Sequence, residues 1–311
     1  MKGVSLLILL LLFTQVLIAE EVHENKNGFN SSNEIILQIS TLPEAKLGFT
    51  KRFNFPFLQG GSPLTAYNNI SLALTAEISP ISLNGIAEIV WTPIAFFQLS
   101  TGGRIGSGWN IELFGSEIYG IGVNRANDIG EAENIGSAFD GLLWKTQFGA
   151  AVQADLAAVF PGDWNHVVFR SYHEINYSGY TNATAGESWY FESDFGENIN
   201  GFNYYGNFVI GYQMPIFLNF IGFLTEMNLY LYNTPERSIW GDDKIRWVFS
   251  NILNFGITKQ FGVTLITQFC TLRNYQESNW QNLYYRNRTI DNSSPLRLEF
   301  FRVAAALTYN F

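Results

Sequence analysis

The chain has little with which to build a disulfide, a metal centre or a nucleic-acid surface. Of its 311 residues one is cysteine and three are histidine. A single thiol, Cys270, cannot close an internal disulfide, and no basic cluster flanks it in sequence to make it a reactive thiolate. Charge is scarce, at 14% of residues, and leans acidic: 18 basic against 27 acidic side chains, a net charge of -9. That balance disfavours a phosphate backbone as partner, because phosphate binding needs basic clusters. Beyond residue 19, no stretch stays apolar for the ~20 residues a spanning helix requires.

Aromatic residues are abundant instead: 27 Phe, 15 Tyr and 8 Trp. They alternate with Asn, Ser, Thr, Gln and Gly. A strand points successive side chains to opposite faces, so alternation means one oily face and one polar face. In residues 301–311, Phe301, Val303, Ala305, Leu307, Tyr309 and Phe311 share one parity; Arg302, Thr308 and Asn310, with small Ala304 and Ala306, take the other. Leu47, Phe49, Phe53 and Phe55 oppose Lys46, Gly48, Arg52 and Asn54 in the same way. Cys270 reads as a small inward residue of such a strand.

Residues 1–19 have the order of a cleaved export signal: Lys2, an apolar run over 4–13, then small Ala19 before a polar stretch. A membrane-anchoring helix is the alternative reading, and Leu17 departs from the small residue usual before a cleavage site. Residues 20–44 read as a polar N-terminal segment, in which 34–40 either form a short strand or pack under the rest, before Pro43 interrupts. From 45 to 311 the alternation persists. The third strand is expected to run unbroken from 83 to about 106 with Pro93 as a bulge. Short reversals near Pro80, Pro161, Leu218 and Gln260 alternate with long polar loops over 109–141, 181–201, 233–243 and 276–295. The Gly60 reversal is the exception, a short one on the long-loop side.

Export signal, alternation, loop asymmetry and terminal phenylalanine together resemble bacterial outer-membrane β-barrel proteins, over nearly the whole chain. The resemblance implies an all-β fold: a transmembrane antiparallel up-and-down barrel of about ten strands, twelve being the alternative, with long extracellular loops and short periplasmic turns. It implies a place in the outer membrane after cleavage near Ala19, contact with its lipid, and insertion by the barrel-assembly machinery. Phe301, Val303, Leu307, Tyr309 and Phe311 would then form the assembly signal.

By parity Arg52, Glu77, Glu88, Lys145, Asp155, Arg170, Glu174, Glu226, Arg246 and Arg302 face the lumen. Acids and bases drawn from many strands must pair, since an unpaired buried charge is costly. They form either a cross-barrel network that plugs the structure or a narrow polar channel constricted at Arg52, Glu88, Arg170, Glu174 and Arg302. The first expectation for function is porin-like passage of small polar solutes or a structural role at the surface. The alternative is a plugged barrel whose loops bind an extracellular ligand. A lipid-directed hydrolase is a third reading, because Ser171 and His173 share the lipid-facing side; Glu174 and Asn176 fall on the other, so no catalytic residue is assigned. Asp128, Glu131, Glu133 and Asp140 match no calcium loop, and the glycines of 119–123 do not open a helix as a phosphate cradle does. Neither a cofactor nor a metal is expected.

Overall fold

The computed structural model describes residues 28–42, 44–113, 115–192, 197–231 and 239–311; the export signal, its cleavage point and Pro43 lie outside the described residues. In chain order the strands are β1 (Asn30–Ser40), β2 (Glu44–Pro56), β3 (Asn69–Ile78), β4 (Ser82–Ile94), β5 (Phe97–Gly108), β6 (Ile111–Leu113), β7 (Ser116–Ile118), β8 (Ile121–Ala126) and β9 (Ala132–Ile135). They continue with β10 (Leu143–Asp155), β11 (Val167–Tyr180), β12 (Ser188–Phe191), β13 (Asn198–Ile199), β14 (Gly201–Gln213), β15 (Leu218–Tyr230), β16 (Arg246–Gly256), β17 (Phe261–Arg273) and β18 (Leu296–Asn310). Twelve of them close into one antiparallel barrel in the order β1-β18-β17-β16-β15-β14-β11-β10-β5-β4-β3-β2. The seam is β1 against β18, in register from Glu34 opposite Asn310 to Ser40 opposite Ala304. Beyond it Asn33 and Phe311 exchange backbone hydrogen bonds at 2.9 and 3.0 Å.

The count is the twelve-strand alternative, and two local features account for the difference from ten. Residues 30–40, expected in the polar N-terminal segment, are a full barrel strand, so the barrel begins at Asn30 rather than at residue 45. The expected third strand is two: β4 and β5 reverse at Ala95–Phe96, with a register shift between Trp91 and Ile94. Asn68 ties the carbonyl of Pro93 at 2.5 Å, and the Ala95 N–H donates to Leu64 at 2.9 Å, so the 57–68 loop holds that tight turn from outside. Both changes shift the register of ends. The Gly60 reversal now falls at the end carrying both termini, with the other short turns, and the Pro80 reversal falls at the long-loop end. Two short reversals, after β1 and at Pro80, thus lie among the long loops.

Alternation along the strands has the physical consequence expected of it. Outward positions are apolar and exposed, for example Phe49, Ile89, Phe148, Ile175, Ile210 and Leu307. Aromatic clusters gird both ends: Trp144 and Tyr177 stack at 4.9 Å and Tyr177 meets Phe202 at 5.0 Å at the loop end. At the other end Phe217 meets Phe255 at 5.4 Å and Tyr309 stacks on Phe311 at 5.6 Å. An apolar band between aromatic girdles is the exterior that a bilayer requires, and closure satisfies the backbone within it. Val303, Leu307, Tyr309 and Phe311 lie on this exterior, but Phe301 does not. A bulge, with Gln268 opposite Arg302 and Phe269 opposite Phe300, leaves Phe301 as the extra residue. It turns inward against Val248 and Cys270. Cys270 is buried inside the barrel, as its parity implied.

The band yields a test. Phe148 is 61% exposed near the middle of β10. Replacing it with Arg should cost about 2–4 kcal/mol, the penalty for a cation on the lipid face at mid-depth. The urea midpoint of refolding into lipid vesicles would fall accordingly, whereas Gln147→Arg, on the inward parity, should lose much less.

Candidate functional site

Inside, the barrel is filled in layers. Toward the terminal end, Ile36, Val168, Val209, Phe220, Leu224, Ile252, Ile266, Ala304 and Ala306 pack into an apolar cluster on the flank formed by β11, β14 to β18 and β1. Phe220 is fully buried, and its ring lies over Gly211 and Gly222 so closely that a Cβ on either would collide with it. These two positions are glycine because the aromatic ring uses the space. The flank formed by β2 to β5 with β10 and β11 is polar. There Glu88 faces the guanidinium groups of Arg52 and Arg170, with Glu174 and Lys145 beyond. Arg170 lies over the Tyr172 ring at 5.3 Å. Tyr172 donates to Glu174 at 2.8 Å, Asn176 donates to it at 2.9 Å, and Lys145 pairs with it at 2.8 Å.

Of the five residues expected at a constriction, Arg52, Glu88, Arg170 and Glu174 therefore meet in one network. Arg302 does not join them. It belongs to a second network on the other flank, donating to Glu44 at 2.5 Å and to Gln268 at 2.6 Å, and Gln268 donates to Ser250 at 2.8 Å. Tyr205 donates to Glu226 nearby at 2.8 Å. Both networks tie neighbouring strands and also reach past intervening ones, from Glu88 on β4 to Arg170 on β11 and from Arg302 on β18 to Glu44 on β2, which fixes the inner side chains and narrows the lumen.

The loop end holds what the sequence reading did not anticipate. Residues 181–192 and 197–200 do not hang outside as a polar loop. The β12–β13 hairpin turns into the mouth, and each of its ends is gripped by cations. On one side, Glu192 accepts hydrogen bonds from Lys46 at 2.8 and 2.9 Å, Ser82 at 2.7 Å, Asn84 at 3.1 Å and Arg104 at 3.4 Å. Phe191 lies under the Arg104 guanidinium at 5.1 Å. On the other side of the ring, Glu197 meets Arg273 at 2.8 Å, Arg288 at 3.7 Å and Arg246 at 3.8 Å. Burial alone would raise both carboxyl pKa values. For Glu192 the charges of Lys46 and Arg104, with their hydrogen bonds, outweigh burial and bring it down to about 2. For Glu197 the three arginines likewise win and lower it. A signal for this hairpin existed: Ser188-Trp189-Tyr190-Phe191 is a β-prone apolar run inside a segment otherwise polar.

A roof covers the hairpin. β12 pairs with β8, and β13, β12, β8 and β9 form a four-stranded sheet above the mouth. The 274–295 loop joins it through Ala132 N–H to Asn282 at 2.8 Å and Arg286 to Gly186 at 2.9 Å. Trp240 is fully buried against Tyr285, with ring centroids 4.6 Å apart. The long loops thus interlock as one folded cap.

On the outer wall, Ser171 Oγ lies 2.9 Å from His173 Nε2, and Tyr204 OH lies 2.5 Å from His173 Nδ1. The histidine's second partner is a phenol rather than a carboxylate. Glu174 and Asn176 point into the lumen, as expected. Among the described residues no cluster of His, Cys, Asp and Glu is arranged to hold a metal ion.

The lowered Glu192 pKa dictates a pH dependence. Its stabilisation is fully present above the ordinary carboxylate value of 4.5 and is lost as pH falls through about 2. Glu192→Gln leaves Lys46 and Arg104 buried with only their looser ion pairs to Glu77 at 3.8 Å and should destabilise the barrel by about 3 kcal/mol at pH 7. The difference in urea midpoint between parent and variant should hold from pH 8 to pH 5 and close as pH approaches 2.

No family model matches the sequence, and no curated protein matches it. Among solved structures the chain is similar to a KdgM porin, with 8% identity over 90% of this chain and 99% of that one at a TM-score of 0.39. It is similar to the β domain of the Bordetella autotransporter Brka, with 9% identity over 91% and 99% at 0.39, and to CdiB from Acinetobacter baumannii, with 8% identity over 92% of this chain and 60% of that one at 0.36. With its closed antiparallel ring and apolar exterior, the chain is a β-barrel of the kind that spans a membrane.

Proposed function

We propose that this protein is an integral outer-membrane barrel, stoppered in the state described, whose interlocked loop cap is a binding surface facing out of the cell. The observation that carries the reading is the hairpin gripped on opposite sides of the mouth by Lys46 and Arg104 at Glu192 and by Arg246, Arg273 and Arg288 at Glu197. An open pore for passive diffusion has no use for a buried crossing element, whereas a binding surface needs rigid loops. The apolar cluster around Phe220 and the network around Glu88 support the same reading from below. In this orientation both termini and the connections beside them face the periplasm, the exported chain is cleaved near Ala19, and the barrel-assembly machinery reads the outward residues of the last strand.

The test is electrical. Purified protein in a planar bilayer should be silent or show only rare, small openings, and removal of residues 188–199 should produce steady conductance. Large steady conductance of the parent protein would overturn the stoppered reading in favour of an open pore. The outer-wall Ser171–His173–Tyr204 group is read as mutually satisfied polar side chains in the lipid band. Accordingly a fluorophosphonate probe should leave Ser171 unlabelled; stoichiometric labelling lost in His173→Ala would instead make it a hydrolase.

A further inference from the structure

Beneath the hairpin lies a cavity of about 210 Å³. Its wall cations are Arg104, Lys145, Arg246 and Arg302, and among its lining residues Glu197 is the one acid. The carboxylates that neutralise the wall cations are not part of the lining: Glu174 holds Lys145, Glu77 and Glu192 hold Arg104, and Glu44 holds Arg302. The cavity wall therefore carries these cations together with amide groups of Asn176, Asn203 and Asn228. Trp189 adds another donor. Its side chain lines the same space, the residue is 3% exposed, and its indole N–H reaches no acceptor among the described residues, as Asn203 Oδ1 reaches no donor. Three guanidinium groups converge on the single carboxylate of Glu197, which leaves that corner with an excess of positive charge. Arg273 is held in place by π faces, over Tyr230 at 5.8 Å and Trp240 at 5.4 Å, rather than by a second acid.

We propose that this cavity is a binding site for a small carboxylate solute, and that Glu197 occupies it as an internal stand-in for that ligand. The proposal rests on the stoppered reading and deepens it. A free carboxylate in the cavity meets Arg246 in the wall and competes there with the Glu197 side chain, which Arg273 and Arg288 hold from outside the lining. The hairpin end that carries Glu197 then loses its hold, while the end that carries Glu192 stays latched. Binding and opening are coupled because Arg246 cannot serve two carboxylates.

Succinate is the probe, with uncharged succinamide and inorganic sulfate as comparisons. The full-length barrel in detergent is titrated by isothermal calorimetry, and conductance is recorded in parallel. Succinate should bind the parent protein and raise its open probability; succinamide should do neither. Glu197→Gln removes the internal competitor, so succinate should bind it about tenfold more tightly, the competent state no longer being a minor one. Arg246→Gln, which removes that cation from the cavity wall, should abolish binding, and Arg246→Lys should weaken it, the second variant serving if the first fails to insert. No succinate binding to either the parent or Glu197→Gln would overturn the carboxylate site, and sulfate binding as tight as succinate would reduce it to a general anion site and overturn the assignment of class. Failure of the stoppered reading looks different: succinate binds, yet conductance is high and equal in parent and variant without it.

Discussion

Everything in this barrel depends on one constraint: in a bilayer no backbone donor or acceptor on the lipid face can be left to water. A sheet meets it by closing. Here the closure is the seam between β1 and β18, with Asn33 and Phe311 exchanging two backbone bonds at its lower end. Closure also has a geometric consequence. The inner side chains of twelve strands are forced into one enclosed space, together with every charge that the lipid-facing parity excludes. The lumen is then a problem in neutralisation, and the structure solves it by pairing. Glu174 with Lys145 joins neighbouring strands, whereas Glu88 with Arg52 and Arg170, and Arg302 with Glu44, reach past one or more intervening strands. A buried ion pair of this kind contributes little net stability, but losing one partner is expensive. Such networks therefore hold the shape of the lumen more than they stabilise the fold.

How much of this was legible in the sequence follows from how local each determinant is. Face assignment needs only parity, and Arg52, Glu77, Arg170, Glu174, Glu226 and Arg302 are all buried, whereas Asp155, at the end of its strand, is partly exposed beside His166. Parity fails where the count is broken by a partner strand. Phe301 keeps the parity of Val303 in sequence, yet the bulge opposite Gln268 and Phe269 turns it inward, and nothing in residues 301–311 records that insertion. The reversal at Ala95–Phe96 was invisible for a similar reason. Pro93 offered a bulge as readily as a turn, and what decides between them is Asn68, 25 residues away in sequence, on its carbonyl. Strand β1 was blurred because its outer residues are mixed, and its place is set by pairing with the far end of the chain. Composition had already shown that segment 181–201 is polar. It could not show that Glu192 and Glu197 would find cations on opposite walls.

The cap and the stopper are consequences of the same enclosure. Four long loops leave one rim, so they share one surface, and their apolar residues have only each other to bury against. Trp240, Tyr285 and Ile199 come from three different loops and form one cluster. A cap so tied cannot open by the fraying of one loop. It can open only by exchange of one anchored element, and the hairpin is the element with charges at both ends.

Its two anchors are built differently, and the difference decides which can move. Glu192 is satisfied by four side chains, Lys46, Ser82, Asn84 and Arg104, all from barrel strands on the same flank, and its own N–H donates to Gly120 at 2.7 Å. Its backbone adopts a positive φ of 53°, a conformation unfavourable for a glutamate, so these contacts overcome a local cost of order 1 kcal/mol. That anchor is a fixed pivot. Glu197 has one contact at hydrogen-bond distance, to Arg273, and two looser ion pairs from Arg246 and Arg288. Its hold is mostly long-range charge, which any anion of similar shape can supply. A stopper with one end bonded by geometry and the other held by charge releases from the second end first.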